Sequence, residues 1–474
     1  MPERKITINP VTRIEGHAKI TITLDSEGAV ENARIHVTQF RGFEKLCEGR
    51  PFTEMPSLMA RICGICPVSH LVAGAKACDA LMAVRIPDAA ADLRRVLHLA
   101  QLVQSHALSF FHLSSPDFLL GMDADPSKRN IFGILKERPE LARDGIRLRQ
   151  IGQQMIEMLA GERIHPSWVV AGGVSKPLDM ATRDAILKMV PEGLAIADRA
   201  IAWFRGISEK YHEEARFFAN FPSFHMGLVS KDGTLEHYDG LLRIINPNGK
   251  TVAEADPSTY ADLIGEAVEP DSYLKTPYYR PLGYPEGVYR VGPLARLNVA
   301  EKCGTPKADR ALEDFRLRAG SVPIHASFSY HGARLIEIIN GLEVIERILD
   351  SPDITSRQVR AFAKPNSPEG IGVAEAPRGT LIHHYLIDDD GLIRWANLII
   401  ATGHNNAAMN RGILQAAHRF VKGSKISEGA LNRVEAVIRA FDPCLSCSTH
   451  ALGEMPLVVH LVDATGRVLD EKRR

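Results

Sequence analysis

The sequence predicts a large, mainly helical protein with small β elements, a fold of the α+β class. Apolar residues recur at three- and four-residue steps over long stretches such as 93–107 and 146–159, which is typical of amphipathic helices. Alternation of apolar and polar residues is confined to shorter stretches. The chain has 474 residues, 45% hydrophobic and 24% charged, so it carries enough apolar surface for a large buried core.

The predicted elements follow one another simply along the chain. Residues 4–38 alternate around a turn at Ser26-Glu27-Gly28 and predict a β-hairpin or small sheet. Residues 221–300 are rich in Pro, Gly and Tyr and predict an irregular excursion with short strands. Residues 381–400 predict a hairpin that turns at an Asp-Asp-Gly sequence. Helices form the body, and later ones are expected near 180–218, 305–319, 331–350, 406–421 and 426–440.

The balance of charge gives no sign of a polyanionic partner. The 57 Lys and Arg residues equal the 57 Asp and Glu residues, so no global field favours nucleic acid or an anionic membrane. The N-terminal MPERKITINP lacks the apolar core of a signal peptide, and no apolar run is long enough to span a bilayer. We therefore expect a soluble, cytoplasmic protein that neither binds nucleic acid nor inserts directly into a membrane.

The seven cysteines give the strongest chemical signal in the sequence. Two Cys-x-x-Cys pairs, Cys63 with Cys66 and Cys444 with Cys447, have the spacing that lets two sulfurs face one metal. Thiolates select soft or borderline metals such as nickel, iron or zinc. If the two ends of the chain meet, all four sulfurs can converge, and we therefore predict a metal site.

Two other interpretations of the pairs stay open at this point. Four cysteines are also the ligand set of a structural zinc site, although such sites usually gather ligands within a few tens of residues, and these pairs are 381 residues apart. A thioredoxin-like dithiol agrees less well with the sequence, because no βαβ pattern precedes the first pair.

With these motifs the sequence resembles the large, catalytic subunit of the nickel-iron hydrogenases. Both signatures of that family are complete, as RICGICPVSH at Arg61–His70 and DPCLSCSTH at Asp442–His450. The segments VTRIEGH, FRGFEKL, APRGTLIHHY and NLIIATGHNN also match, so the resemblance spans nearly the whole chain. The N-terminal ITINPVTRIEGH and the compact length are most similar to the cytoplasmic bidirectional branch, which reduces NAD.

The resemblance implies a nickel bound by four thiolates and an iron that carries carbon monoxide and cyanide. By position, Cys63 and Cys444 would be terminal nickel ligands, and Cys66 and Cys447 would bridge to the iron. Such a centre would cleave hydrogen heterolytically and reversibly, while a sulfur or a nearby base takes the proton.

Other residues that match the family would serve this centre. Glu15 would relay protons from a nickel-bound cysteine. Arg378, aimed by Pro377, would hydrogen-bond a diatomic ligand on the iron. Thr402 would donate to another cyanide, and Asp117 would belong to the polar groups around the arginine.

The resemblance also implies a second ion and a histidine close to the sulfurs. Glu44, the backbone carbonyl near Leu398 and His450 would bind magnesium or a similar ion, which oxygen ligands suit. His70 would place a ring donor beside the bridging thiolate of Cys66.

Domain organisation and partners follow from the same resemblance. Residues 1–450 would form one catalytic unit, and 451–474 a C-terminal extension that a maturation endopeptidase removes after nickel-insertion proteins have loaded the site. Only Cys47, Cys78 and Cys303 remain, which is too few for an iron-sulfur cluster. Electrons would therefore leave through an iron-sulfur small subunit, from which they reach NAD through a diaphorase module.

Two alternatives of another class remain. The quinone-site subunit of respiratory complex I shares the expected fold without the four cysteines and is a catalytically inactive relative. A binding protein stabilised by a four-cysteine zinc site is the second. Within the family, branches that couple to a deazaflavin, heterodisulfide reductase or polysulfide, and hydrogen sensors, are further alternatives.

Overall fold

Helices form the body of the molecule and small sheets pack against them, so the predicted α+β class is confirmed. The computed structural model describes residues 4–270, 272–422 and 427–449, together with strands Val458–Val462 and Val468–Arg473. Its helices are α1 Phe43–Cys47, α2 Met55–Ala60, α3 Pro67–Met82, α4 Asp88–Ala107, α5 Ser115–Leu120, α6 Ile131–Glu137, α7 Pro139–Ala160, α8 Met180–Leu187, α9 Val190–Lys210, α10 His212–Ala215, α11 Tyr260–Leu263, α12 Pro293–Val299, α13 Pro306–Ala319, α14 Ser329–Leu349, α15 Ala401–His404, α16 Asn406–Phe420, α17 Glu428–Phe441 and α18 Leu445–Ser448.

The centre of the body is α4, which packs against α7 and α14, while α14 also packs against α9. The side chains of α4 are buried on every face from Val96 to its end, as expected for a helix that is surrounded by others. The helix then continues as a π-helical segment, Leu108–Ser114. Short 3-10 helices complete the helical elements and are Phe52–Glu54, Pro257–Thr259, Arg280–Leu282 and Pro352–Thr355.

The strands form several small sheets. They are β1 Arg4–Ile8, β2 Ala18–Leu24, β3 Val30–Val37, β4 Val169–Val170, β5 Gly173–Val174, β6 Phe224–Val229, β7 Leu241–Ile245, β8 Thr251–Ala255, β9 Ile264–Ala267, β10 Thr276–Tyr279, β11 Tyr289–Arg290, β12 Glu369–Ala376, β13 Gly379–Ile387, β14 Ile393–Ile399, β15 Val458–Val462 and β16 Val468–Arg473. Strands β1–β2–β3 and β12–β13–β14 are antiparallel, and the sheet β11–β6–β7–β8 includes one parallel pair, β11 with β6. This last sheet lies in the region predicted to be irregular with short strands.

Strand β12 lies directly on α3, and this contact positions the candidate site. A Cβ on Gly372 of β12 would lie 2.0 Å from the carbonyl oxygen of Ala73 of α3, so only glycine allows the two backbones to approach so closely. Helix α3 begins one residue after Cys66, and β12 leads into the turn that holds Arg378. The packed helix and strand therefore bring these two residues to the same place.

The structure agrees with most of the predicted elements and corrects one. The predicted turns near Gly28 and Gly391 join β2 to β3 and β13 to β14, with φ of 86° and 77° at the two glycines. The helix expected over 180–218 is instead divided into α8, α9 and α10, because Pro191 fits the first turn of a new helix and not the interior of a continuous one. No described helix is long and apolar enough to cross a lipid bilayer.

Candidate metal centre

The four cysteines of the two Cys-x-x-Cys pairs lie together in the core. Their sulfurs are all within 4.8 Å of one another. Cys63 Sγ is 3.5 Å from Cys444 Sγ, and Cys66 Sγ is 3.9 Å from Cys447 Sγ. All four residues are buried. The structure thus brings together the two pairs that are far apart in sequence, as predicted.

The first pair is held at the start of α3. Pro67 occupies the first turn, where a missing N–H costs little, and Cys66 is the N-cap. The backbone N–H groups of Ile65 and Cys66 donate to Cys63 Sγ at 3.3 and 3.1 Å. These hydrogen bonds and the helix N-terminus both favour a negatively charged sulfur.

The second pair follows α17 through a sharp change of direction. Asp442 ends α17 in the left-handed conformation, with φ of 54°. The N–H of Cys444 then donates to Oγ1 of Thr402 at 2.9 Å. This bond uses a lone pair of the hydroxyl, so the O–H of Thr402 can still donate to another group. Thr402 therefore lies beside one of the four cysteines. Its hydrogen bond to a cyanide stays a prediction.

The protonation of the sulfurs reflects their crowding. The pKa of Cys66 lies well below its usual value, because hydrogen bonds from the other three cysteines outweigh burial, and His70 adds a further hydrogen bond. Burial raises the pKa of Cys444 and of Cys447 well above the usual value. Four buried sulfurs so close together cannot all be thiolates unless a cation lies among them. The set therefore fits a bound metal.

Glu15 lies beside the C-terminal pair. Its backbone forms a parallel bridge with Cys444, and its carbonyl oxygen accepts the N–H of Leu445 at 3.2 Å. Its carboxylate Oε2 accepts the N–H of Ser446 at 3.0 Å. The next residue, Gly16, has φ of 85°, and a Cβ there would lie 2.7 Å from the Cβ of Leu445. Glycine is therefore what allows this approach.

A buried ionic network anchors the loop that carries this glutamate. The carbonyl oxygen of Thr12 accepts a hydrogen bond from Arg439 Nε at 3.0 Å. Asp117 forms an ion pair with Arg13 and, at 3.0 Å, another with Arg439. Asp117 was expected among the polar groups around Arg378, but its carboxylate instead turns to the two guanidinium groups of the loop network. Its contribution to the site is to hold the N-terminal loop.

Arg378 lies in the turn between β12 and β13, close to the sulfurs. Its Nε donates to the carbonyl oxygen of Asp442 at 2.6 Å, and a terminal nitrogen donates to Asp442 Oδ1 at 3.1 Å. Another terminal nitrogen is 3.4 Å from the hydroxyl of Ser105. Burial lowers the pKa of Arg378, but Asp442 and three of the cluster sulfurs raise it well above its usual value. A permanent positive charge therefore lies beside the cysteines.

The guanidinium of Arg296 fixes the turn that holds Arg378. Arg296 donates to the carbonyl oxygens of Ala376 and Pro377 at 2.9 and 3.3 Å. It also pairs with Glu337 at 2.6 Å and with Glu375 at 2.9 Å, and all three charged side chains are 0% exposed. Pro377 thus helps to aim Arg378 through its carbonyl as well as its ring. We call Arg296, Glu337, Glu375, Arg378 and Asp442 the charged group.

Three aromatic side chains extend from the cysteines into the core. His70 lies beside Cys66, whose pKa it helps to lower, and its Nδ1 lies 3.2 Å from Nε2 of His383. Nδ1 of His383 lies 2.7 Å from the hydroxyl of Tyr385. We call these residues the histidine row, which consists of His70, His383 and Tyr385. Only His70 was predicted from the sequence, although the alternation along β13 places the other two on one face.

Glu44 lies in a cluster of oxygen atoms around an ammonium group. Lys275 Nζ is 3.1 Å from Glu44 Oε1 and 3.2 Å from Glu266 Oε1. The backbone N–H of Leu398 donates to Glu44 Oε1 at 3.0 Å, so Leu398 lies beside Glu44, and the role of the carbonyl as a ligand stays a prediction. The carboxylates suit magnesium, and Lys275, which no sequence pattern indicated, now supplies the positive charge among them. His450, the remaining predicted ligand, lies outside the described residues.

The remaining cysteines are structural. Burial raises the pKa of Cys47 to about 12, and raises the pKa of Cys78 and of Cys303 well above the usual value. The thiols of Cys47 and Cys78 donate to the backbone carbonyls of Phe43 and Phe52, at 3.0 and 3.1 Å. These thiols are protonated and packed, and none of them joins the group of four sulfurs.

Four thiolates serve both zinc and nickel, so the comparison with known proteins decides between them. The nickel-dependent hydrogenase family matches residues 41–130 and 246–450, and a family described as HoxL-like matches residues 5–40. These ranges contain both cysteine pairs, together with Glu15 and Arg378.

Individual relatives cover almost the whole chain. The β subunit of the NAD-reducing hydrogenase HoxS from Cupriavidus necator is 43% identical, over 99% of this chain and 100% of its own length. One subunit of the F420-non-reducing hydrogenase vhu from Methanocaldococcus jannaschii is 42% identical, over 88% of this chain and 100% of its own. A crystal structure of an NAD+-reducing nickel-iron hydrogenase in the H2-reduced state superimposes with a TM-score of 0.91 at 44% identity, covering 94% of this chain and 99% of that one. These matches argue against both the complex I subunit and the zinc-stabilised binding protein. The chain belongs to the nickel-iron hydrogenase large-subunit family.

Proposed function

We propose that this chain is the subunit on which hydrogen is reversibly and heterolytically cleaved, at a nickel-iron centre held by the four cysteines. The observation that carries the proposal is the convergence of both pairs into one buried group with all sulfurs within 4.8 Å. Membership of the hydrogenase family supports nickel and iron over zinc. A bound nickel-iron centre supplies a redox-active Lewis acid at which H2 is converted into two protons and two electrons.

The arrangement of the sulfurs supports one assignment of the ligands. The first cysteines of the two pairs face each other at 3.5 Å and the second cysteines at 3.9 Å. We assign Cys63 and Cys444 as terminal nickel ligands and Cys66 and Cys447 as the bridges to an iron that carries carbon monoxide and cyanide. The hydrogen bond from His70 then falls on a bridging sulfur.

We propose Glu15 as the residue that exchanges protons with the terminal sulfur of Cys444. Its carboxylate is held by the N–H of Ser446, two residues after that ligand. Glu15→Gln keeps the size and the hydrogen-bond acceptor but cannot carry a proton. We expect full nickel content and hydrogen turnover that is about 10² to 10⁴-fold lower, measured on one preparation. Turnover equal to the wild type would contradict this role.

Arg378 and Thr402 are proposed to hold the diatomic ligands of the iron. The guanidinium is buried, permanently charged and fixed by Asp442, so its remaining N–H groups form a rigid donor fork beside the sulfurs. The hydroxyl of Thr402 already accepts from Cys444, which leaves its O–H to donate. Together they would stabilise negative charge on the iron ligands.

We propose a magnesium ion, or a similar hard cation, near the carboxylate of Glu44. The support is chemical, since Glu44 and Glu266 offer oxygen ligands there. An ion bound to Glu44 would lie beside the ammonium group of Lys275, which repels it. Metal analysis of Lys275→Met should then show unchanged or higher magnesium content, and loss of magnesium would contradict the assignment.

The partners and the processing of the chain are also proposals. The hydrogenase named for the first relative reduces NAD, which supports electron transfer through an iron-sulfur small subunit to a diaphorase module. We further propose that 451–474 is removed by an endopeptidase after nickel insertion, which leaves 1–450 as the catalytic unit. Intact-mass measurement on active protein tests this, because a mature chain of full length would contradict it.

The deciding experiment is metal analysis with infrared spectroscopy on the purified holoenzyme. We expect roughly one nickel per chain, and infrared bands from carbon monoxide and cyanide bound to metal. The matched control is Cys63→Ser, which should lose nickel and the bands together. One zinc per chain without such bands would overturn the proposed function.

A further inference from the structure

The histidine row leads from a cluster cysteine into the core of the molecule. His70 is 1% exposed, and His383 and Tyr385 are both 0% exposed. The links are 3.2 Å between the two rings and 2.7 Å from His383 Nδ1 to the tyrosine hydroxyl. Each member of the row therefore meets the next through a hydrogen-bonding atom, in a region that excludes water.

We propose that Tyr385 and His383 are positioning residues, which fix the ring of His70 so that its N–H donates to the sulfur of Cys66. The inference deepens the proposed function and rests on it, because it treats this sulfur as a metal-bound thiolate. The contacts of the row join Tyr385 to His383 and His383 to His70, so each positioning residue acts through its neighbour.

The direction of the hydrogen bonds follows from counting donors and acceptors. A neutral imidazole has one N–H donor and one acceptor nitrogen, whereas a metal-bound thiolate only accepts. Nδ1 of His70 is occupied by His383, so Nε2 is left to donate to Cys66. Nδ1 of His70 must then accept from His383 Nε2, and Nδ1 of His383 must accept from Tyr385.

The tyrosine is suited to start this chain of donors. Burial raises the pKa of Tyr385 well above its usual value. Its hydroxyl therefore keeps its proton and donates it to His383 Nδ1 at 2.7 Å. The reverse order would turn a ring lone pair toward the Cys66 sulfur and place two acceptors against each other.

The proposal has a measurable electronic consequence. A hydrogen bond to a bridging thiolate withdraws electron density from the sulfur and so from the iron. Without a fixed donor the iron becomes more electron-rich, and more density enters the antibonding orbital of its carbon monoxide. The carbon monoxide band should therefore move to lower wavenumber when the row is interrupted.

The test compares two Tyr→Phe variants that address neighbouring histidines of one strand. Tyr385→Phe removes the first donor of the row. The matched control is Tyr260→Phe, because the Tyr260 hydroxyl bonds Nδ1 of His384 at 2.9 Å, and His384 follows His383 on the opposite face of β13. We expect both holoenzymes to bind full nickel, and only Tyr385→Phe to shift the carbon monoxide band downward.

A third variant tests whether the tyrosine acts through His383. His383→Gln offers His70 an amide N–H whose direction no longer depends on the hydroxyl, so adding Tyr385→Phe to it should cause no further shift. An unshifted band in Tyr385→Phe, an equal shift in Tyr260→Phe, or additive shifts in the double variant would each overturn the inference. Absence of any carbon monoxide band in the wild type would instead overturn the proposed function.

Discussion

The charged group and the histidine row flank the same four sulfurs, but they are built from different interactions. The charged group surrounds Arg378 with a second buried guanidinium and three carboxylates. The histidine row contains no carboxylate, ammonium or guanidinium, and its members meet through single hydrogen bonds. The first arrangement fixes the position of a charge, and the second fixes the direction of a proton donor.

The difference predicts unequal costs when each is interrupted. Removing one partner of a buried ion pair leaves an uncompensated charge in the core, whereas removing a hydroxyl leaves one acceptor unpaired. Variants in the charged group should therefore affect folding as well as chemistry. Variants in the histidine row should affect the metal centre with little loss of stability.

The largest effect is expected for Arg296→Met, which leaves Glu337 and Glu375 without their shared guanidinium. We expect the free energy of unfolding to fall by about 3–5 kcal/mol, measured by urea denaturation of the purified chain. The control is Arg199→Met, because Arg199 pairs with Asp144 on the surface, and it should lose at most about 1 kcal/mol. Similar losses in both variants would remove the distinction between buried and exposed pairs.

Arg378→Lys separates the charge of this residue from its geometry. The lysine keeps a positive charge but loses the fork that bonds Asp442 at two points. We expect nickel to be retained and hydrogen turnover to fall about 10²-fold or more. If turnover is unchanged, the charge alone is sufficient and the fixed fork has no role.

A smaller effect concerns pH and involves His106, which bonds Glu337 at 2.8 Å. Burial lowers the pKa of His106 to about 3, against the opposing effect of Glu337. The unfolded chain takes up this proton near pH 6.5 and the folded chain only near pH 3, so stability is lost as the pH falls between these values. His106→Gln should reduce that acid-induced loss by roughly 3 kcal/mol. Unfolding curves of both proteins from about pH 7 to pH 4 check this, and equal losses would exclude His106 as the cause.

The smallest effect is expected for Tyr385→Phe. One buried hydrogen bond is lost and the ring still fills its space, so the free energy of unfolding should fall by about 1 kcal/mol. The same denaturation experiment measures it beside Arg296→Met. A loss as large as that of the arginine variant would show that the histidine row also stabilises the fold, and the comparison would no longer hold.

Local patterns were sufficient for much of the fold and for the sulfurs. The long helices follow from periodicity and the turns at Gly28 and Gly391 from their turn residues, and both signals depend only on near neighbours. The spacing of the cysteines within each pair likewise predicted a metal site. The resemblance to the family predicted that the two pairs meet.

Residues that act across segments could not be found in this way. Lys275 meets Glu44 from 231 positions away, and no local pattern pairs them. Arg296 and its carboxylates are similarly spread over three elements, so nothing in the sequence separates them from surface ion pairs. Asp117 was misplaced for the same reason, since several arginines could pair with its carboxylate and only packing decides which of them do.

The distance between the two cysteine pairs along the chain sets the order in which the molecule can be completed. At ribosomal rates the second pair is made about 20 to 80 s after the first, and bringing them together closes a loop of 381 residues. Closing so long a loop costs about 5 kcal/mol of chain entropy, which the packing of the intervening helices must first offset. The first pair therefore exists without its partner while the helices of the body fold. We expect the metal site to be among the last parts of the new chain to form.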